Sequence, residues 1–281
     1  MGLFFICLVV CVFQTSIACF AEEDVGKATI QSQEVKQGNA LFESSKKEGP
    51  YKMYYKSGKL QAEGVLKDGK LEGPCKTYYE NGKLQDEESY KAGKPEGPDK
   101  AYYESGQLNR EVTHKDGKPE GPSKMYYKSG KLAHEVTYKD GKPEGPAKGY
   151  YESGKLGHEV TYKDGKKEGP YREYYESGQL GLEWIFKDGK PEGPRKTYYE
   201  NGKLQAEETF KDGKIEGPYK GYYENGNLEE EGTFKDSKPE GKSTIYREDG
   251  SIEYIDTYKN GEKVNRKAYD VKGKLELGQN Y

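Results

Sequence analysis

Nine glycines recur at an interval of 24 residues without a slip: Gly49, Gly73, Gly97, Gly121, Gly145, Gly169, Gly193, Gly217 and Gly241. Each follows a Glu, and all but the last precede a Pro. A fixed period of this length means one supersecondary unit repeated, each burying its apolar side chains against its neighbours. That constraint outranks composition, which alone would suggest disorder. Leu, Ile, Val and Phe make up about 15% of the 281 residues, below the ~20% usual for a packed core, while Gly reaches 37 and Tyr 27. A thick aliphatic core, a Rossmann-type enzyme and a helical bundle therefore fit poorly. The 46 Lys and Arg nearly balance the 49 Asp and Glu, so no basic face for nucleic acid is expected.

Two turn signals divide the unit that starts at Gly145. Ser153-Gly154 follows a Tyr-Tyr-Glu run, and Asp164-Gly165 follows Thr-Tyr-Lys. Pairs of this kind, flanked by β-formers, predict two-residue type I′ turns with positive φ at both central residues. The chain is thus predicted to be all-β: an elongated, single-layer antiparallel meander of β-hairpins, solenoid-like, with about eighteen strands. A two-residue loop at Ser57-Gly58 sets Tyr55 opposite Leu60 and Lys52 opposite Glu63. The Lys/Glu pair recurs as Lys76/Glu87, Lys100/Glu111, Lys124/Glu135, Lys148/Glu159, Arg172/Glu183, Lys196/Glu207 and Lys220/Glu231. Exposed pairs contribute only tenths of a kcal/mol each, so their main effect is to disfavour slipped registers. Alternation places Tyr55, Leu60, Leu66, Val112, Val136, Val160, Trp184 and the Tyr138-to-Phe234 row on one, buried face. Tyr54, the Lys/Glu pairs, Lys67 and a row of Thr share the other, solvated one.

Residues 1–21 read as an export leader, because the apolar run Leu3–Phe13 is followed by Gln14, Thr15, Ser16 and small residues. Two processings fit: cleavage after Ala21, or lipidation of Cys19 within a lipobox-like Ser16-Ile17-Ala18-Cys19. The product would be periplasmic, envelope-associated or secreted. Residues 22–37 form a polar, flexible segment, residues 38–262 the repeat array and residues 263–281 a degenerate capping repeat. Beyond the leader, Cys75 is the single cysteine, which precludes an internal disulfide there, and it reads as a packing substitution.

The in-phase pattern of tandem Tyr, Ser/Asn-Gly, Lys-Asp-Gly-Lys-Pro and Glu-Gly-Pro resembles the MORN-variant repeat, most of all bacterial proteins of the YwqK-type antitoxin-like family. The resemblance covers roughly residues 38–275. It implies an extended twisted sheet of hairpins that acts in protein or membrane association, without catalytic residues.

Little chemistry is legible. His134 and His158 occupy equivalent positions in adjacent units, which predicts a separation of two strand spacings, about 10 Å, too far for one metal ion with nitrogen ligands at ~2.1 Å. His114 stands in the Tyr/Phe row as a packing variant. Glu63 and its equivalents each have a basic partner, so no acid/base couple is suggested. No catalytic residue, metal site or cofactor is expected. The candidate partner-binding surface is the aromatic stripe of Tyr55, Tyr79, Tyr103, Tyr127, Tyr151, Tyr175, Tyr199 and Tyr223 with Phe186 and Phe210. A one-layer sheet with such a stripe calls for a cover: a protein partner, a second copy, or a membrane or cell-wall surface. The leading expectation is an exported noncatalytic scaffold at the bacterial envelope, with an antitoxin-like immunity role as a special case and wall-polymer or lipid binding as the alternative. The charge register has a direct test in stability measurements. Glu135→Lys alone should cost little, several such reversals together should disturb pairing, and matching Lys→Glu changes should restore it.

Overall fold

The computed structural model describes residues 47–281. The leader with Cys19, residues 22–37 and the start of the array at 38–46 lie outside the described residues. All described secondary structure is β: 26 strands in one antiparallel sheet that is not closed, each strand paired with its neighbours in sequence. Six of the 26 are two-residue pieces such as Lys70–Leu71 that lead into a longer strand. The last two strands, Glu262–Tyr269 and Leu275–Asn280, continue the same sheet.

The Asp-Gly turns are the expected two-residue loops. Asp68 and Gly69 both have positive φ, 52° and 74°, and Lys67 pairs with Lys70 across them. The Ser/Asn-Gly turns differ from expectation. Gly58 has φ 82°, whereas Ser57 is not left-handed, and Gly58 N–H donates to the Tyr55 carbonyl while Tyr55 N–H donates to that of Lys59. This is a three-residue loop, a type I turn closed by a left-handed glycine. Its extra residue moves the pairing so that Tyr54, not Tyr55, faces Leu60. At the Asn loops the side chain stabilises the turn without a left-handed backbone, as Asn81 Oδ1 does by accepting from Lys83 N–H. Beyond the bulge the charge register is as expected, with all eight pairs opposite one another. It also continues between units, since Glu63 faces Lys76 and Glu135 faces Lys148, giving one alternating ladder.

The Glu-Gly-Pro segment is a second irregularity with a purpose. Tyr138 pairs with Pro143 but Glu135 pairs with Lys148, so the returning strand carries two extra residues. Gly145 takes φ 79° within them, which only glycine adopts cheaply. The Glu is equally specified: Glu144 accepts from the N–H of Asp164 at 2.8 Å, capping the next Asp-Gly turn. The same bond, 20 residues apart, recurs from Glu48 to Glu240.

One face buries what apolar mass there is. Val136, Tyr138, Ala147 and Val160 form a cluster under the half-buried rings of Tyr162 and Tyr171. Large aromatic side chains thus lean over small residues of adjacent strands, and the single layer covers part of its own face. Opposite positions compensate in volume. Tyr51 faces Gly64 and Tyr219 faces Gly232, and a Cβ on either glycine would stand 2.7 or 2.6 Å from the ring.

Units are joined by side-chain hydrogen bonds at constant offsets. The second Tyr of each pair donates to the backbone carbonyl of the first Tyr in the next unit, as Tyr127 does to Tyr150 at 2.6 Å. All eight do so. In seven units the first Tyr donates back to the ladder Glu of the preceding unit, as Tyr150 does to Glu135 at 2.7 Å, whereas Glu183 is engaged by Arg172 instead. At the C-terminal end, fully buried Asp256 is held by Arg266 and Lys263, each at 2.7 Å.

Two stability outcomes follow. Tyr127→Phe keeps the ring and loses one bond, and should cost about 1 kcal/mol in urea unfolding. Asp256→Ala strands two cations and should cost about 3 kcal/mol or more, with loss of hydrogen-exchange protection over residues 252–269.

Candidate partner-binding surface

The sequence-predicted stripe resolves into two separate groups. The eight tyrosines line the hairpin loops, just past the strand ends, half-buried and with their hydroxyls spent on the neighbouring unit. Phe186 and Phe210 lie within strands and meet around Trp184, at ring-centroid distances of 5.0 and 5.2 Å. Tyr171 joins Phe186 edge-on at 6.0 Å. Cations flank this cluster: the Arg195 guanidinium lies 5.2 Å from the Trp184 ring, and the Lys167 ammonium 5.2 and 5.4 Å from those of Tyr171 and Phe186. Among the described residues, Trp184 Nε1 and Arg195 Nε have no hydrogen-bond partner. Trp184 stands where the three preceding units hold Val112, Val136 and Val160 and the following unit holds Glu208, so the cluster exists only where the repeat departs from its own pattern.

A second departure gathers charge on the same face nearer the N-terminus. Asp99, 4% exposed, receives Arg110 at 3.0 and 3.2 Å and lies 3.6 Å from His114 Nδ1. Asp99 also stands directly opposite Glu88, with Asp86 two residues along. Burial, then the charges of Asp99 and Glu88, push the Asp86 carboxyl up to about 7, and its Oδ1 has no hydrogen-bond partner among the described residues. Burial raises Glu88 likewise and lowers His114. Composition-level reasoning missed this group; its signal is a run of acids at positions that hold Val, Ala or Ser elsewhere in the array.

The two histidines of adjacent units are closer than strand spacing predicts. Their ring centroids are 5.9 Å apart, not about 10 Å. Gly149 lies between them in the sheet, paired with both, and the His158 ring occupies the space of its missing side chain. Among the described residues no group of three or more His, Cys, Asp or Glu side chains is arranged to hold a metal ion. On the ladder face, shallow hollows of about 230 and 220 Å³ lie between Pro, Lys, Glu and Thr side chains of consecutive units, such as Pro122, Lys124, Glu135 and Thr137. No described helix is long and apolar enough to cross a membrane.

The MORN repeat variant model matches nine tandem segments: residues 47–68, 71–92, 95–116, 119–140, 143–164, 167–188, 191–212, 215–236 and 239–260. Among curated proteins none matches this chain. Solved structures share only scattered similarity. The TcdB2–TccC3 complex with Cdc42 is 11% identical with a TM-score of 0.20, and the Photorhabdus luminescens Tc holotoxin pore 12% identical with 0.22. The match covers 82% and 81% of this chain but only 17% and 15% of theirs. A porin-like protein from Bacteroides uniformis is 12% identical over 67% of this chain and 91% of its own, with a TM-score of 0.18.

The buried acid group has a pH signature. Folded Asp86 binds its proton more tightly than the unfolded chain does. Its stabilising contribution is therefore complete below about pH 4 and lost as pH rises through about 7. Asp86→Asn should raise stability over the parent at about pH 8 and give no gain at about pH 4, read from paired urea titrations.

Proposed function

This chain belongs to the MORN repeat variant family, and we propose that it is an exported, noncatalytic scaffold that binds a protein partner at the bacterial cell envelope. The observation that carries the proposal is the cluster of Tyr171, Trp184, Phe186 and Phe210 with Arg195 and Lys167. Most of the repeated side chains serve unit-to-unit attachment, whereas this cluster breaks the repeat with the residue types, Trp, Tyr and Arg, that dominate protein-binding hot spots. The family supplies the setting, a repeat scaffold for protein or membrane interaction. The apolar segment at Leu3–Phe13 supports export, with cleavage after Ala21 or lipidation at Cys19. An antitoxin-like role is the narrower form of the same proposal, in which the partner is a toxin.

The test is affinity capture from an envelope extract of the native host, with the parent and a Trp184→Ser/Phe210→Ser variant shown by circular dichroism to stay folded. One protein recovered stoichiometrically by the parent and lost by the variant supports the scaffold. Equal recovery by both baits rejects the cluster as the site. Sedimentation of the parent with peptidoglycan or liposomes, without a protein, supports wall or lipid binding instead. The mass of the mature N-terminus distinguishes the two processings, and an unprocessed Met1 would overturn export.

A further inference from the structure

The histidine pair sits apart from the aromatic cluster's proposed role and carries chemistry of its own. His134 and His158 come from adjacent units, with ring centroids 5.9 Å apart and ring planes inclined by 34°. Two imidazoles sharing one ion at nitrogen–metal distances of ~2.0–2.1 Å hold their centroids roughly 5–6 Å apart. The observed spacing falls within that range, and the sequence-based reason for dismissing a shared ion is thereby removed. We propose that His134 and His158 together bind one borderline transition-metal ion, of the Zn²⁺, Ni²⁺ or Cu²⁺ class, through their ring nitrogens.

Gly149 makes the pair possible. It is the strand partner of both histidines, and a Cβ there would stand 2.0 Å from His158 Cε1. The equivalent positions in neighbouring units hold Met125 and Glu173, either of which would fill that space. The site is therefore specific to the junction of two units and is not a property of the repeat. Burial, and for His134 the neighbouring His158, lowers the tendency of both rings to take up a proton, which keeps their nitrogens available as ligands near neutral pH. Lys167 lies near enough for its charge to act on His158 in the same direction. Such a cation opposes ions held by charge alone, so calcium and magnesium, which seek oxygen ligands, are the wrong class. Imidazole nitrogen suits zinc, nickel and copper. Glu173, the other strand partner of His158, accepts from the Tyr171 hydroxyl, and no group of three described His, Cys, Asp or Glu side chains is arranged to hold an ion, so water would complete the coordination.

The full chain is titrated with NiCl₂ and ZnCl₂ by calorimetry, and with Cu²⁺ by electron paramagnetic resonance. The expected result is uptake of an ion that is lost in His134→Gln and in His158→Gln and retained in His114→Gln. The copper spectrum should show nitrogen coupling from two imidazoles in the parent and from one at most in either variant. Gly149→Ala retains both imidazoles but displaces one ring, and should also lose the ion. Uptake that is absent, or unchanged in both His134→Gln and His158→Gln, overturns the proposal. The two Gln variants keep the test decisive if Gly149→Ala does not fold.

Discussion

The hydroxyl of one tyrosine, donated to a backbone carbonyl 23 residues further on, is the contact on which the array depends. A sheet with so little aliphatic mass gains little from burial within one unit, and a lone hairpin is marginal at best in water. Stability must then come from the joint between units, as in other linear repeat architectures. Here each joint has the Tyr–carbonyl bond at one end and the Glu cap on the Asp-Gly turn at the other, and all but the Tyr198/Glu183 joint add the Tyr–Glu bond between them. Each net contribution is about 1 kcal/mol, but they are made together and fix the same offset. A slip by two residues would forfeit all three at once. The charged ladder discriminates registers in the same way, with little energy of its own.

The positions not committed to these joints carry the variation. One row on the apolar face holds Cys75, Asp99, Ser123, Ala147, Tyr171, Arg195, Tyr219 and Ser243. Opposite them stand Glu88, Val112, Val136, Val160, Trp184, Glu208, Gly232 and Asp256. Size or charge is matched across several of these pairs: Tyr219 takes the room of Gly232, Arg195 meets Glu208, and Ala147 packs with Val160. The sheet is thus uniform in its backbone and individual along this face. The acid group, the histidine pair and the aromatic cluster are three consecutive departures along it.

What could be read from the residues was whatever depends on period and alternation. The Gly period, the charge register and the Asp-Gly turns follow from spacing and backbone preference alone, and the sheet has all three. The Ser/Asn-Gly loops depart from the two-residue form because glycine's left-handed preference does not say whether its predecessor shares it; Asn81 supports the turn through its side chain instead. The roles of the second tyrosine and of the Glu before each Gly were hidden, since hydroxyl and carboxylate partners lie in the adjacent unit. The histidine distance failed for a related reason. Strand spacing describes backbones, and Gly149 lets a ring cross the gap that the backbone leaves.

Constant offsets have a consequence for how such a chain changes length. The bonds of each joint reach only the adjoining unit, and the internal units offer the same Tyr hydroxyls, backbone carbonyls and Glu carboxylates. Duplication or loss of a whole unit by unequal recombination would leave each surviving joint chemically complete, whereas a half-unit insertion would leave tyrosines and glutamates without counterparts. The gene is therefore free to drift in copy number while its reading of individual positions stays intact. A match between the histidine pair or the aromatic cluster and a partner would be carried along the array as a block, at whatever distance from the ends the copy number sets.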